Sequence, residues 1–118
     1  MSLICLSGKG FIIMIELTKE NFDEEVLQAA GKVFVDFYGD GCVPCQALMP
    51  FIHAMVDKYG GKLKFCALNT TKARRLAISQ KVLGLPVMAI YENGEKTEEL
   101  IKDDATESNI EAMILRNI

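Results

Sequence analysis

Val33-Phe34-Val35-Asp36-Phe37-Tyr38-Gly39-Asp40-Gly41-Cys42-Val43-Pro44-Cys45 is the stretch that decides the fold. Its first half is a continuous β-branched and aromatic run, suited to a central strand buried on both faces. Gly39, Asp40 and Gly41 break the run. From Cys42 onward apolar residues return at three- and four-residue intervals, Leu48, Phe51, Ile52, Met55, Val56 and Tyr59, until Gly60-Gly61, which predicts a helix over 42–59. Two thiols three positions apart therefore open a helix just behind a buried strand. On a first helical turn the two sulfurs can face each other, one exposed and one tucked behind, so a reversible disulfide is geometrically feasible and the pair reads as redox chemistry. Pro44 is tolerated in that turn, where its missing N–H has no partner to lose. Pro50 deletes an internal bond and predicts a bend.

The flanking sequence supplies the rest of one α/β domain. A short strand is expected over 13–17, followed by a helix capped by Thr18, with Phe22, Val26, Leu27 and Ala30 on one face and Gly31 as its stop. Another strand is expected over 62–68 and a weaker helix over 71–82. Val87-Met88-Ala89-Ile90-Tyr91 reads as a strand, and Asn93-Gly94 as a hairpin turn into a strand over 95–101. Thr106 caps a closing helix that carries Ile110, Met113 and Ile114. Strands that alternate with helices predict a parallel portion covered on both faces, and the terminal hairpin adds antiparallel partners.

Composition narrows the function. The chain has 118 residues, half of them apolar, enough to fill one core without a metal or a disulfide staple. Its net charge is −3, without the basic cluster that sequence-independent nucleic-acid binding demands. The apolar pieces of 3–15 are interrupted by Ser7-Gly8-Lys9-Gly10 and follow no basic segment, unlike a signal peptide. Neither approaches the roughly 18 apolar residues of a membrane span, so a cytoplasmic protein is expected. Gly8-Lys9-Gly10 lacks the spacing and the Ser or Thr of a phosphate-binding loop. Residues 1–13 read as an N-terminal extension that need not be native, and 14–118 as the domain. Of four cysteines, Cys66 falls in an apolar strand and reads as a small core residue, while Cys5 is a passenger on the extension. One CxxC with no second pair does not make a closed metal site, so no metal is expected. Asp36 is conspicuous, because a carboxyl group inside an apolar strand is either a strand-end residue in water or a buried acid with a raised pKa.

The ordered set Val35-Asp36-Phe37-Tyr38, Cys42-Val43-Pro44-Cys45, Pro50, Leu85-Pro86 and Tyr91-Glu92-Asn93-Gly94 resembles the thioredoxin family from Ile15 onward. The resemblance implies the thioredoxin fold, a central mixed β-sheet flanked by helices on both faces, with Pro86 cis beside the dithiol. It implies a protein-disulfide reductase and electron carrier that binds no cofactor and works through a Cys42–Cys45 disulfide. At a helix N-terminus Cys42 is the nucleophile that carries the mixed disulfide, Cys45 resolves it, and Asp36 takes or returns the proton of Cys45. Leu85 and Pro86 would form a shelf for substrate, and Gly41, Val43 and Pro44 its rim. Reducing equivalents would come from NADPH through a separate thioredoxin reductase-like flavoprotein. The expected substrates are disulfide-containing proteins, a peroxiredoxin among them, met by a monomer.

Four positions depart from the family pattern. Gly41 stands where Trp is usual, Val43 where Gly is usual, Ala67 where a Lys is common near the buried acid, and Asp103-Asp104 where Gly often meets the partner. Gly41-Cys42-Val43-Pro44-Cys45 is also similar to the motif of thioredoxins from anaerobic bacteria that feed electrons to amino-acid reductase complexes. The rival reading is a thioredoxin-fold interaction subunit without catalysis.

Overall fold

The computed structural model describes the backbone of residues 3–7 and 10–118 and the side chains from Met14 onward. The strands are β1 (Leu3–Ser7), β2 (Gly10–Leu17), β3 (Lys32–Tyr38), β4 (Lys64–Asn69), β5 (Val87–Glu92) and β6 (Glu95–Ile101). They form one sheet in the order β1-β2-β4-β3-β5-β6. β2 and β3 both run parallel to β4, while β1 on β2, β5 on β3 and β6 on β5 are antiparallel. The helices are α1 (Val43–Tyr59), α2 (Arg74–Ser79) and α3 (Glu107–Arg116). The expected mixed sheet with helices on both faces is the fold observed.

Alternation along β3 builds two cores. Phe34 faces one way, where Ile52, Met55 and Val56 of α1 and Ile110, Met113 and Ile114 of α3 close over Phe65 and Ile90. Val33, Val35 and Phe37 face the other, against Phe22, Val26, Ala73, Ala77, Leu68 and Tyr91. Phe34, Val35 and Phe37 are fully buried, so β3 is the doubly covered central strand that its composition demands. Asp36 shares the period of Phe34 and therefore points to the α1 side.

Three elements differ from the sequence reading. The first strand begins at Gly10, and Leu3–Ser7 adds a strand antiparallel to it, because Leu3-Ile4-Cys5-Leu6 and Phe11-Ile12-Ile13 are both β-forming runs. The side chain of Cys5, and Gly8 and Lys9 altogether, lie outside the described residues. The helix expected after Thr18 shrinks to one wide turn, Asp23–Leu27. The Asp23 carbonyl accepts from the Gln28 N–H at 2.9 Å and its carboxylate from the Gln28 side chain, closing a loop one residue wider than an α-turn. The helix expected over 71–82 divides into a tight turn, Thr70–Lys72, and α2. Ala73, at φ −148°, ψ 55°, separates them.

Local signals elsewhere act as read. Asn93 and Gly94 both adopt positive φ, 54° and 81°, the twist that a two-residue hairpin requires. α1 ends at Tyr59 with Gly60 as its C-cap, as the Gly60-Gly61 stop predicts. The Thr106 hydroxyl accepts from the Asn109 N–H at 3.1 Å and caps α3. Removing that acceptor leaves a helix-end donor unpaired, so Thr106→Ala is expected to lower the unfolding free energy by about 1 kcal/mol in urea titration, with Thr106→Ser within a few tenths of the parent.

Candidate functional site

Residues 39–42 carry the chain from the end of β3 into α1, and their path is held from β4. Asn69 donates through Nδ2 to Asp40 Oδ1 at 2.8 Å, Thr70 Oγ1 donates to the Tyr38 carbonyl at 2.9 Å, and Thr71 Oγ1 accepts from the Asp40 N–H at 3.0 Å. A Cβ on Gly39 would stand 3.0 Å from Leu85 Cδ1 and 3.2 Å from Thr71 Oγ1, so glycine is what lets the loop lie against both. Cys42 then becomes the N-cap of α1, in extended conformation, and its Sγ accepts from the Cys45 N–H at 3.2 Å. The first turn holds no acidic residue, and the positive end of the helix is aimed at the Cys42 sulfur without a compensating charge inside the turn.

Cys42 and Cys45 are joined, with their Cα atoms 5.2 Å apart. Cys42 is half-buried and Cys45 buried, the exposed and hidden partners that the spacing predicts. A shallow depression at the surface is lined by Gly39, Gly41, Cys42, Val43, Pro44, Thr71 and Leu85. The structure thus brings Gly41, Val43, Pro44 and Leu85 together around the exposed sulfur. Val43 is 74% exposed. The Leu85–Pro86 bond is cis, but Pro86 itself is buried and lies outside that lining, with its carbonyl taken by the Lys102 N–H at 2.8 Å. Among the described residues the backbone N–H and C=O of Leu85 have no protein partner. Thr71, Thr70 and Asn69 are absent from the sequence-derived site. The available signal was three short polar side chains directly after a strand, a pattern that favours side-chain-to-backbone bonds over a helix start.

Asp36 is 1% exposed, and its Oδ1 has no hydrogen-bond partner. The strand-end reading is therefore excluded. Burial first, and the Glu16 carboxylate second, push its pKa up to about 7. Cys66, in the opposite core, is fully buried, and burial pushes its thiol up to about 12, which makes it an inert packing residue at neutral pH. Among the described residues no three His, Cys, Asp or Glu side chains cluster as a metal site, and no helix is long and apolar enough to cross a membrane.

A family model described as thioredoxin matches residues 13–116. The chain belongs to the thioredoxin family. It is 56% identical over 105 residues to a thioredoxin of Acetoanaerobium sticklandii, covering 89% of this chain and all of that one. It is 53% identical over 106 residues to a thioredoxin of Peptoclostridium acidaminophilum, covering 90% and 96%. The crystal structure of a Malassezia sympodialis thioredoxin, 20% identical, superposes with a TM-score of 0.78 over 88% of this chain and 90% of that one, a likeness of fold. As in other thioredoxins, the Cys42–Cys45 pair is a redox-active dithiol that exchanges electrons with protein disulfides. Membership also implies a reductase that recycles it.

The raised pKa of Asp36 is also a statement about stability. From about pH 4 to about pH 7 the folded oxidised protein holds a proton there that the unfolded chain has lost, so stability falls as pH rises through this window. The whole effect is on the order of 4 kcal/mol. Asp36→Asn removes it. The oxidised variant is expected to be more stable than the parent at pH 8, with the advantage shrinking toward pH 4, as read by denaturant titration across pH.

Proposed function

We propose that this thioredoxin is a reductase of protein disulfides in which Cys42 attacks, Cys45 resolves and Asp36 manages the proton. The observation that carries the assignment of roles is the asymmetry of the pair: a half-exposed sulfur at the helix start and a buried one behind it, on the α1 side of the sheet that also holds Asp36. The Cys42 thiolate attacks one sulfur of the substrate disulfide and expels the other as a thiolate. Asp36, ionised, takes the proton of Cys45, and the Cys45 thiolate attacks the Cys42 sulfur of the mixed disulfide. The substrate's second sulfur leaves as a thiolate and takes up a proton, and the Cys42–Cys45 bond is restored. Two electrons have passed to the substrate. The second attack is intramolecular, which keeps the covalent complex short-lived.

Substrate binding is assigned to the depression around Cys42. An extended segment of the partner can pair with the unpartnered backbone of Leu85 as an added strand, while Gly41, Val43 and Pro44 leave the sulfur open to a bulky protein. Electrons are supplied by NADPH through a flavoprotein of the thioredoxin-reductase type, in the cytoplasm, to a monomeric carrier. The Gly41-Cys42-Val43-Pro44-Cys45 motif supports an amino-acid reductase complex as the dedicated acceptor, with peroxiredoxin-type disulfides as further substrates.

Cys45→Ser should accumulate mixed disulfides on Cys42 when the reduced variant meets a disulfide substrate such as insulin, and Cys42→Ser should not. Trapping on Cys45 instead would reverse the assignment. Asp36→Asn is expected to slow insulin reduction about ten-fold or more while the protein remains folded by circular dichroism; a rate equal to the parent's across pH 6 to 9 would remove Asp36 from the mechanism.

A further inference from the structure

Asp36 does not stand alone on its face of the sheet. In the register of the parallel strands Glu16 pairs with Ala67, and Ala67 with Asp36, so the three form one row across β2, β4 and β3. Their neighbours two positions back, Met14, Phe65 and Phe34, all belong to the core under α1 and α3, and alternation puts Glu16 and Asp36 on that same side. Two strand spacings separate their backbones by roughly 10 Å. The residue between them is an alanine, which contributes one methyl group. No larger side chain of β4 therefore stands between the two acidic residues in this row.

Glu16 is held in place. The Tyr38 hydroxyl, two residues along β3 from Asp36, donates to Glu16 Oε2 at 2.7 Å. Glu16 is partly buried, and with Tyr38, Thr18, Asn69 and Lys72 it lines a hollow open to solvent. Glu16 therefore reaches both water and the row that ends at the buried acid.

The other groups around Asp36 do not compete. Its partners on β4 and β5 are Ala67 and Met88, and α3 presents Ile110, Met113 and Ile114 to this core. On β3 the ionisable neighbour is Tyr38 itself, whose hydroxyl is pushed well above its ordinary range by burial and by the bond to Glu16. The Asp40 carboxylate acts on Tyr38 in the same direction. From α1 come the two sulfurs, Cys45 and Cys42, joined in this state. The charged group that acts on Asp36 is Glu16.

We propose that Glu16, oriented by the Tyr38 hydroxyl and set in one row with Asp36 across Ala67, is a positioning residue for disulfide exchange that acts on the Asp36 carboxyl group and so on its readiness to accept the proton of Cys45. This rests on the role assigned to Asp36 above. Glu16 does not touch the sulfurs, and it acts through the carboxyl group across Ala67.

The test follows the Asp36 carboxyl carbon by NMR as the oxidised protein is titrated from pH 4 to 10. Glu16→Gln keeps the size and the acceptor for Tyr38 but removes the charge, and is expected to lower the Asp36 midpoint by about half a pH unit or more, as a charge at this range in a partly buried setting would. Tyr38→Phe keeps the charge and frees the side chain, and should give a smaller fall. Glu16→Asp should restore most of the parent value. An Asp36 midpoint unchanged in folded Glu16→Gln overturns the proposal. The acidic limb of the insulin-reduction profile is measured on the same variants. A limb that moves with the midpoint supports both assignments, whereas a limb that stays while the midpoint moves refutes the role of Asp36 and leaves the coupling to Glu16 standing.

Discussion

The function of this protein depends on where one helix begins. The first backbone N–H groups of α1 have no partners within the helix, and the chain is routed so that Cys42 caps them, its sulfur 3.2 Å from the Cys45 nitrogen. A sulfur in that position gains most when it carries a negative charge, because unsatisfied donors and the helix dipole both favour the anion. Cys45, one turn further on, is carried into the interior by the same geometry. The difference in exposure between the two sulfurs, on which the proposed division into attacking and resolving thiol rests, is thus a property of the cap position and the helical period. It does not depend on the side chains between them, which is why Val43 is accommodated at 74% exposure without disturbing the turn.

The placement of that helix start is itself held by polar contacts rather than by apolar packing. Asn69, which ends β4, the strand beside β3, and Thr70 and Thr71, which follow it, tie Asp40 and Tyr38 with three side-chain hydrogen bonds. Their commitment to the neighbouring loop explains why the helix expected there is interrupted at Ala73. The same region forms one wall of the depression beside Cys42, since Thr71 and Leu85 pack on the open side of Gly39. Below it, Asp36 occupies an interior position where its ionised form is penalised and its neutral form lacks a partner at Oδ1. Such a group is a poor contributor to folding and a suitable one for proton exchange near neutral pH.

Much of this architecture is legible in the order of the residues. The uninterrupted apolar run at β3, the period of α1, the Asn93-Gly94 hairpin and the Thr106 cap are strong local signals, and each determines an element. The pairing of Cys42 with Cys45 follows from their spacing, whereas the strand leaves two environments open for Asp36 and the structure decides for the buried one. What escapes a sequence reading is set by tertiary contacts. The bonds from Asn69, Thr70 and Thr71 join residues about 30 positions apart, and no periodicity announces them. The turn at Asp23 widens because Gln28 finds a partner there, a competition between two local bonds that propensity alone does not rank. β1 needs the β2 edge to pair with, and Glu16 becomes part of the Asp36 environment through strand register. Pro86, expected at the surface of the site, is buried, and its neighbour Leu85 faces the depression instead.

The central claim is that the start of α1 makes the Cys42 thiol acidic. Its most direct test is the pH dependence of thiolate absorbance and iodoacetamide alkylation in the fully reduced protein, with the Cys45→Ser variant isolating the signal of Cys42. The account predicts a midpoint of about 7.5 or lower, well below the ~8.5 of a free cysteine. A midpoint at or above about 8.5, with alkylation no faster than that of an unfolded control, would contradict it.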